Sequence, residues 1–138
     1  MKKVNVVAAI IIKDDKILCV QKNKHKFDYV SYKYEFPGGK IEKNETKEVA
    51  LKREIKEELD MDISTEKEFI TVNHIYPDFE ITMYCFICKS LSDNFILKEH
   101  INFKWLSISD LNTLNWAAAD IPVVNELMKP FKMKEQKK

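Results

Sequence analysis

A near-continuous run of β-branched residues over positions 4–13 (VNVVAAIIIK) opens the chain and reads as a strand buried on both faces. Asp14 and Asp15 supply a tight turn into a second apolar run, 16–21 (KILCVQ), which predicts a hairpin. Residues 22–33 mix lysines with aromatics in no clean period and read as a surface loop. A short extended piece over 34–36 ends at Pro37, which biases Phe36 away from helical geometry. After a turn or loop over 40–45 the period changes. Leu51, Ile55 and Leu59 recur at i, i+4 and i+8, the buried stripe of a helix that runs to about Leu59. Thr46 is its expected N-cap, with Asn44 the other candidate.

Strand patterns return over 69–76 and 79–89, joined at Pro77-Asp78. The polar turn 92–94 leads into a further piece over 95–98, and 101–106 reads as one more strand. From Ser107 the pattern is helical again. Ser107 or Ser109 caps a short helix through Leu114, and a second covers 122–129 with Asp120 just ahead of it. Strands, helix, strands, helix predict an α+β fold, a mixed β-sheet flanked by helices in an α/β/α sandwich. Residues 1–131 are expected to form a single domain and 132–138 a charged tail.

Composition narrows the chemistry. With 23 basic and 22 acidic residues the formal charge is +1, so no global field favours a nucleic acid polymer or a membrane surface. The apolar run at the N-terminus closes after ten residues, too short for a bilayer span and without a cleavage site behind it. Three cysteines are too few for a disulfide framework and fit a reducing compartment, with the cytoplasm expected. Cys85 and Cys88 do spell C-x-x-C, but on a strand a separation of three puts them on opposite faces. The three histidines are scattered, which argues against a histidine metal site.

The informative stretch is 38–61, GGKIEKNETKEVALKREIKEELDM. It holds the only two glycines in the chain, Gly38 and Gly39, where positive φ or close approach of the backbone is needed. The helix behind them places Glu54, Glu57 and Glu58 at i, i+3 and i+4, within about 6 Å of one another at Cβ. Glu48 with Lys52 and Arg53 with Glu57 are favourable pairs, whereas Lys52 with Lys56 and Glu54 with Glu58 repel. Each like pair costs roughly 0.2–0.5 kcal/mol. A solvated face gains nothing from such clustering. A divalent cation removes the conflict, and hard oxygen ligands suit Mg²⁺ or Mn²⁺ held jointly by carboxylates, water and phosphates.

These residues resemble the Nudix box: Gly, five residues, Glu, seven residues, Arg-Glu, an aliphatic residue, any residue, Glu-Glu, any residue, Gly, aliphatic. Gly39, Glu45, Arg53, Glu54, Ile55, Glu57, Glu58 and Met61 fall in register over 23 positions. Asp60 stands where the family usually has glycine, just past a helix C-terminus where αL geometry is common. The resemblance implies a hydrolase of nucleoside diphosphates linked to a further group. Glu54, Glu57, Glu58 and the Gly38 carbonyl would be metal ligands, Glu54 or a second carboxylate would activate water, Arg53 would orient Glu54, and Glu45 would support the helix start.

Outside the box the chain is similar to the MutT-like and CTP pyrophosphohydrolase branch, which extends upstream through Glu35-Phe36-Pro37. That similarity implies a phosphate contact for Lys22, a metal or base role for Glu99, and a nucleobase contact for Asp120. Each also has a plain reading: solvated lysine, solvated glutamate, N-cap aspartate. Phe36 and Phe79 are candidate stacking surfaces. The MutT pattern has asparagine in place of Asp120 and arginine in place of Phe79, while Ala118–Pro122 is worded more like the enzymes of CTP and modified pyrimidines. The expected activity is Mg²⁺-dependent conversion of a nucleoside triphosphate to monophosphate and pyrophosphate, by a monomer or homodimer. The alternatives are ADP-ribose or dinucleoside polyphosphate hydrolysis, or a nucleotide-binding module without turnover.

Overall fold

The computed structural model describes residues 1–129; the charged tail expected at 132–138 lies outside them. One strand organises the rest. The twelve-residue β1 (Lys2–Lys13) runs parallel to β6 (Phe79–Ser90) from Lys2 opposite Phe79 to Ile12 opposite Lys89. Its other edge is divided. Val6, Val7 and Ala8 pair with β4 (Gly38–Lys40), whereas Ile12 and Lys13 pair with β2 (Lys16–Gln21). Outside β2 lie β3 (Tyr34–Glu35) and β7 (Asn102–Leu106), and outside β6 lies β5 (Ile63–Ile75).

The β1–β2 hairpin turns on Asp14 (φ 52°) and Asp15 (φ 63°). Positive φ at both central residues gives the turn whose twist matches that of the flanking strands, and aspartate tolerates it.

Alternation along the buried strands feeds two cores. On one face Ala8, Ile10, Cys19 and Cys85 pack with Val123, Val124 and Leu127 of α2 (Ile121–Leu127). On the other, Val7, Ala9, Ile11, Leu18 and Cys88 pack with Ala50, Leu51, Ile55 and Leu59 of α1 (Lys47–Leu59). The expected sandwich is present, and Cys85 and Cys88 do face opposite ways. All three cysteines are free.

Helix α1 keeps its expected ends. The Thr46 hydroxyl accepts from the Val49 N–H at 3.2 Å, and Asp60 closes the helix in the αL region (φ 51°), its N–H donating to the Lys56 carbonyl.

Four expectations change. Gly38–Lys40 is a strand rather than the start of a loop, because Gly38, with no Cβ, lets the backbone lie against β1. The piece at 95–98 is not a strand: the Ile96 and Lys98 N–H groups donate to the Leu59 and Glu58 carbonyls, filling acceptors left free at the end of α1. The helix after Ser107 is a 3₁₀ segment, Ile108–Thr113. Strand β5 begins six residues earlier than the pattern at 69–76 suggests, with two register shifts where Thr65 to Ile70 pass β6.

Neither glycine has positive φ; both serve close approach. A Cβ at Gly38 would collide with the Val7 main chain and one at Gly39 with the Glu54 carboxylate. Gly38→Ala should therefore cost more than about 2 kcal/mol, since backbone cannot yield as a side chain does. Asp60→Gly should gain up to about 1 kcal/mol by relieving αL strain. Urea denaturation of both variants reads the two signs; a Gly38→Ala protein as stable as the parent would contradict the close packing of β4 on β1.

Candidate active site

Arg53 is the hub of the acidic end. Its Nε and Nη2 donate to the two Glu45 oxygens at 2.7 and 2.8 Å, a bidentate pair, and Nη2 also reaches the Lys40 carbonyl at 3.0 Å. Nη1 donates to Glu54 Oε2 at 3.0 Å and Glu57 Oε1 at 2.9 Å. The hydrogen bonds from Arg53, with that of the Glu42 main chain behind them, hold the Glu45 carboxyl down to about 2, and Arg53 is shifted upward in turn, chiefly by Glu45. One guanidinium thus ties the loop before α1 to two carboxylates on its face.

Glu58 has no such partner. It is 7% exposed, its Oε1 is buried without a hydrogen bond, and its carboxyl is pushed up to about 9. Burial is the main cause, followed by the charges of Glu35, Glu54 and Glu99; the Gly38 main chain acts the other way. Glu54 is raised as well, by burial first, against the pull of Arg53. Its carboxylate lies where Gly39 lacks a Cβ.

Glu99 is exposed, yet near enough for its charge to act on both Glu54 and Glu58. It is brought there by the docking of Ile96 and Lys98 on the end of α1. Among the described residues no three acidic, histidine or cysteine side chains already converge on a single point as metal ligands. The residues nonetheless fit a hard cation: an orphaned buried oxygen on Glu58, a glycine cradle at Glu54, and neighbouring carboxylates that repel.

A cavity of about 420 Å³ adjoins this cluster. Lys22, Phe36, Gly38, Glu58, Phe79 and Asp120 all line it, although they come from five separate stretches of the chain. Asp120 sits at its buried end, 4% exposed, on a 3₁₀ turn, Ala118–Asp120. The N-cap reading of Asp120 does not hold: its side chain makes no capping bond, and Oδ1 accepts from the Phe36 N–H at 3.1 Å. Burial, with the Glu35 charge behind it, raises its carboxyl well above the usual range; the Phe36 N–H and Lys22 oppose this. The Tyr76 hydroxyl accepts from the Ala119 N–H at 2.9 Å and fixes the same turn from β5's end.

The two phenylalanines differ. Phe36 is buried and stacks on Trp116, centroids 4.7 Å apart, so it is first a core residue whose edge reaches the cavity. Phe79 joins Phe27, Tyr29 and Tyr76 in a cluster of rings 5.0–6.0 Å apart at the cavity wall. The loop at 22–33 is therefore less superficial than its composition implies; the Tyr29 hydroxyl donates to Asp78 Oδ2 at 2.9 Å and ties it to the β5–β6 turn.

Sequence reasoning passed over Glu35 and His100 as site residues. Glu35 lines the cavity, 3.9 Å from Lys22 Nζ, and its Oε2 lies 2.9 Å from His100 Nε2. The two are 65 positions apart, and no local pattern joins them.

Residues 1–127 match the NUDIX domain family, and the chain belongs to that family of hydrolases. Its relatives include the 8-oxo-dGTP diphosphatase of Buchnera aphidicola subsp. Schizaphis graminum, 33% identical over 129 residues, covering 94% of this chain and 96% of that one. The CTP pyrophosphohydrolase of Escherichia coli strain K12 is 32% identical and covers 93% of each chain. The solution structure of MutT, a Nudix hydrolase from methicillin-resistant Staphylococcus aureus 252, is 42% identical, covers 94% of this chain and 99% of that one, and superposes with a TM-score of 0.71.

The shifted carboxylates predict how stability follows pH when a chelator keeps divalent ions away. Glu58 binds its proton more tightly folded than unfolded, so the folded state holds the extra proton between the ordinary carboxylate value of 4.5 and about 9. Stability should then fall as pH rises through that window. Glu45 acts oppositely and below it, losing its contribution as pH falls from 4.5 toward about 2. The thermal midpoint should decline from about pH 5 to about pH 9, with a shallower decline in Glu58→Gln. Equal slopes in both proteins would show that Glu58 is not the strained group.

Proposed function

We propose that the chain hydrolyses a nucleoside triphosphate to the monophosphate and pyrophosphate, with Mg²⁺ as cofactor and Mn²⁺ able to replace it. The observation that carries this reading is the meeting of two unlike features: a cluster of underpaired carboxylates beside Gly38 and Gly39, and a cavity that runs from it to a buried aspartate. A nucleotide has the same polarity, with charge at one end and a hydrogen-bonding base at the other. The relatives named for 8-oxo-dGTP and CTP support the substrate class, because both act on nucleoside triphosphates by name.

Glu54, Glu57, Glu58, Glu99 and the Gly38 carbonyl would hold the cation, which when bound neutralises charge on the phosphates and acidifies water. The protein's own residues do the positioning. Arg53 holds Glu54 and Glu57 against their mutual repulsion while it anchors Glu45, so the helix face stays fixed as charge arrives. Glu54, raised above the ordinary range and free of Arg53 on its second oxygen, is the group proposed to take the proton from the attacking water, with Glu99 the neighbouring candidate. Lys22, which lines the same cavity, would meet the phosphates. Asp120 is held by the Phe36 N–H through Oδ1, which leaves Oδ2 to read the edge of a base stacked near Phe79. Three buried free thiols suit the cytoplasm as its compartment.

Purified protein incubated with a panel of nucleoside triphosphates, their deoxy forms and ADP-ribose, with and without Mg²⁺, tests this directly. Release of pyrophosphate is expected only with metal, and Glu54→Gln should lower kcat by about 10²-fold or more. No turnover of any triphosphate, with Glu54→Gln indistinguishable from the parent, would sink the proposal. On the same panel Asp120→Ala should reorder the bases more than it slows the best substrate; an unaltered order would leave Asp120 a structural residue.

A further inference from the structure

Among the described residues, two buried side-chain polar atoms lack a hydrogen-bond partner. One is Glu58 Oε1; the other is His100 Nδ1. The His100 side chain is 4% exposed, and its Nε2 meets Glu35 Oε2 at 2.9 Å. Placing the ring proton on Nε2 gives Glu35 a donor and leaves Nδ1 only an idle lone pair. The other tautomer would bury an N–H with nothing to receive it and set two acceptors face to face. A hydrocarbon side chain would fill the same space without an orphaned nitrogen, so the imidazole is there for the bond it makes.

That bond decides what Glu35 can do. Its other oxygen, Oε1, stands 3.9 Å from Lys22 Nζ, at the outer limit of an ion pair. Lys22 follows the end of β2, Glu35 lies on β3, and the pairing of Val20 with Glu35 sets the two side by side. His100 approaches from a third direction, at the end of the segment whose Ile101 N–H donates to the Gln21 carbonyl at 3.0 Å. All three meet where the carboxylate cluster opens into the cavity, which Lys22 and Glu35 line together.

We propose that His100 is a positioning residue which, by holding Glu35, keeps that carboxylate from closing on Lys22 and so leaves the lysine available to the substrate phosphates. A carboxylate freed from His100 could rotate its Oε1 onto Lys22 and form a close pair. Incoming phosphate would then have to displace it. The effect belongs to substrate capture rather than to the chemical step. This rests on the reading of Lys22 as a phosphate ligand.

The test has two arms. In metal-free wild-type protein, ¹⁵N chemical shifts of the His100 ring should show a protonated Nε2. A proton on Nδ1 alone would overturn the proposal, and this arm does not depend on the protein having any activity. The second arm is a kinetic cycle on the best triphosphate. His100→Phe fills the site but removes the donor, and should raise KM by about fivefold, the size of one partly exposed ion pair gained by Lys22, with kcat within about twofold. His100→Gln, which restores an N–H donor, should return KM toward the parent value. In a Glu35→Gln background, His100→Phe should leave KM within about twofold, since the competing charge is gone. If His100→Phe does not fold, His100→Ala carries the same expectations. An equal rise in KM in both backgrounds, or a fall in kcat instead of a rise in KM, would assign His100 to packing and overturn the proposal. Absence of turnover by the wild type would instead fail the functional reading, leaving the spectroscopic arm to stand or fall alone.

Discussion

Like charges held together on one helix face set the terms for the rest of this molecule. Glu54, Glu57 and Glu58 project from α1, and the fold adds Glu35 and Glu99 to their surroundings. The cation held among them is Arg53, whose hydrogen bonds reach three glutamates and a main-chain carbonyl. Glu58 has no hydrogen bond from it and, through burial first and the neighbouring carboxylates second, binds its proton more tightly. The repulsion is only partly relieved, and the parts left unrelieved mark where a positive charge is missing.

The scaffold supports that arrangement with backbone rather than with side chains. Strand β4 can lie against β1 because Gly38 has no Cβ, and Glu54 can sit over β4 because Gly39 has none. The Leu51, Ile55 and Leu59 stripe fixes the rotation of α1, so Glu54 and Glu58 are turned toward β4 while Glu57 stays exposed. Strand β1 shares one edge between β2 and β4, and the side chains around that divided edge open into the cavity. The candidate site results from three local requirements: a helix turned by its core stripe, a strand pressed close by glycine, and a sheet edge that two partners divide.

Much of this was legible in the sequence because it rests on short-range rules. The Thr46 cap, the αL aspartate at position 60, the paired aspartates of the hairpin and the i, i+4, i+8 stripe each depend on neighbours within a few residues. The Gly38–Lys40 strand was not legible, since three residues with two glycines show no alternation and the pairing comes from residues some thirty positions earlier. Residues 95–98 form no strand, because the Ile96 and Lys98 N–H groups go to helix carbonyls. Asp120 fits every local rule for a cap, and a tertiary bond to Phe36 overrides it. Glu35 with His100 had no local signal at all, because only the fold brings β3 beside the chain that follows α1's docking segment. In each case the unread part is a contact between distant segments, and those contacts surround the cavity more than the carboxylate helix.

The central claim is that the crowded glutamates form a cation site and not a solvated face. Calorimetric titration of Mg²⁺ into the protein bound to a non-hydrolysable nucleoside triphosphate tests it without relying on turnover. Saturable binding is expected in the parent, with affinity reduced about 10-fold or more in Glu58→Gln, which removes a charged ligand from the buried position. Equal Mg²⁺ affinity in the two proteins would contradict the account.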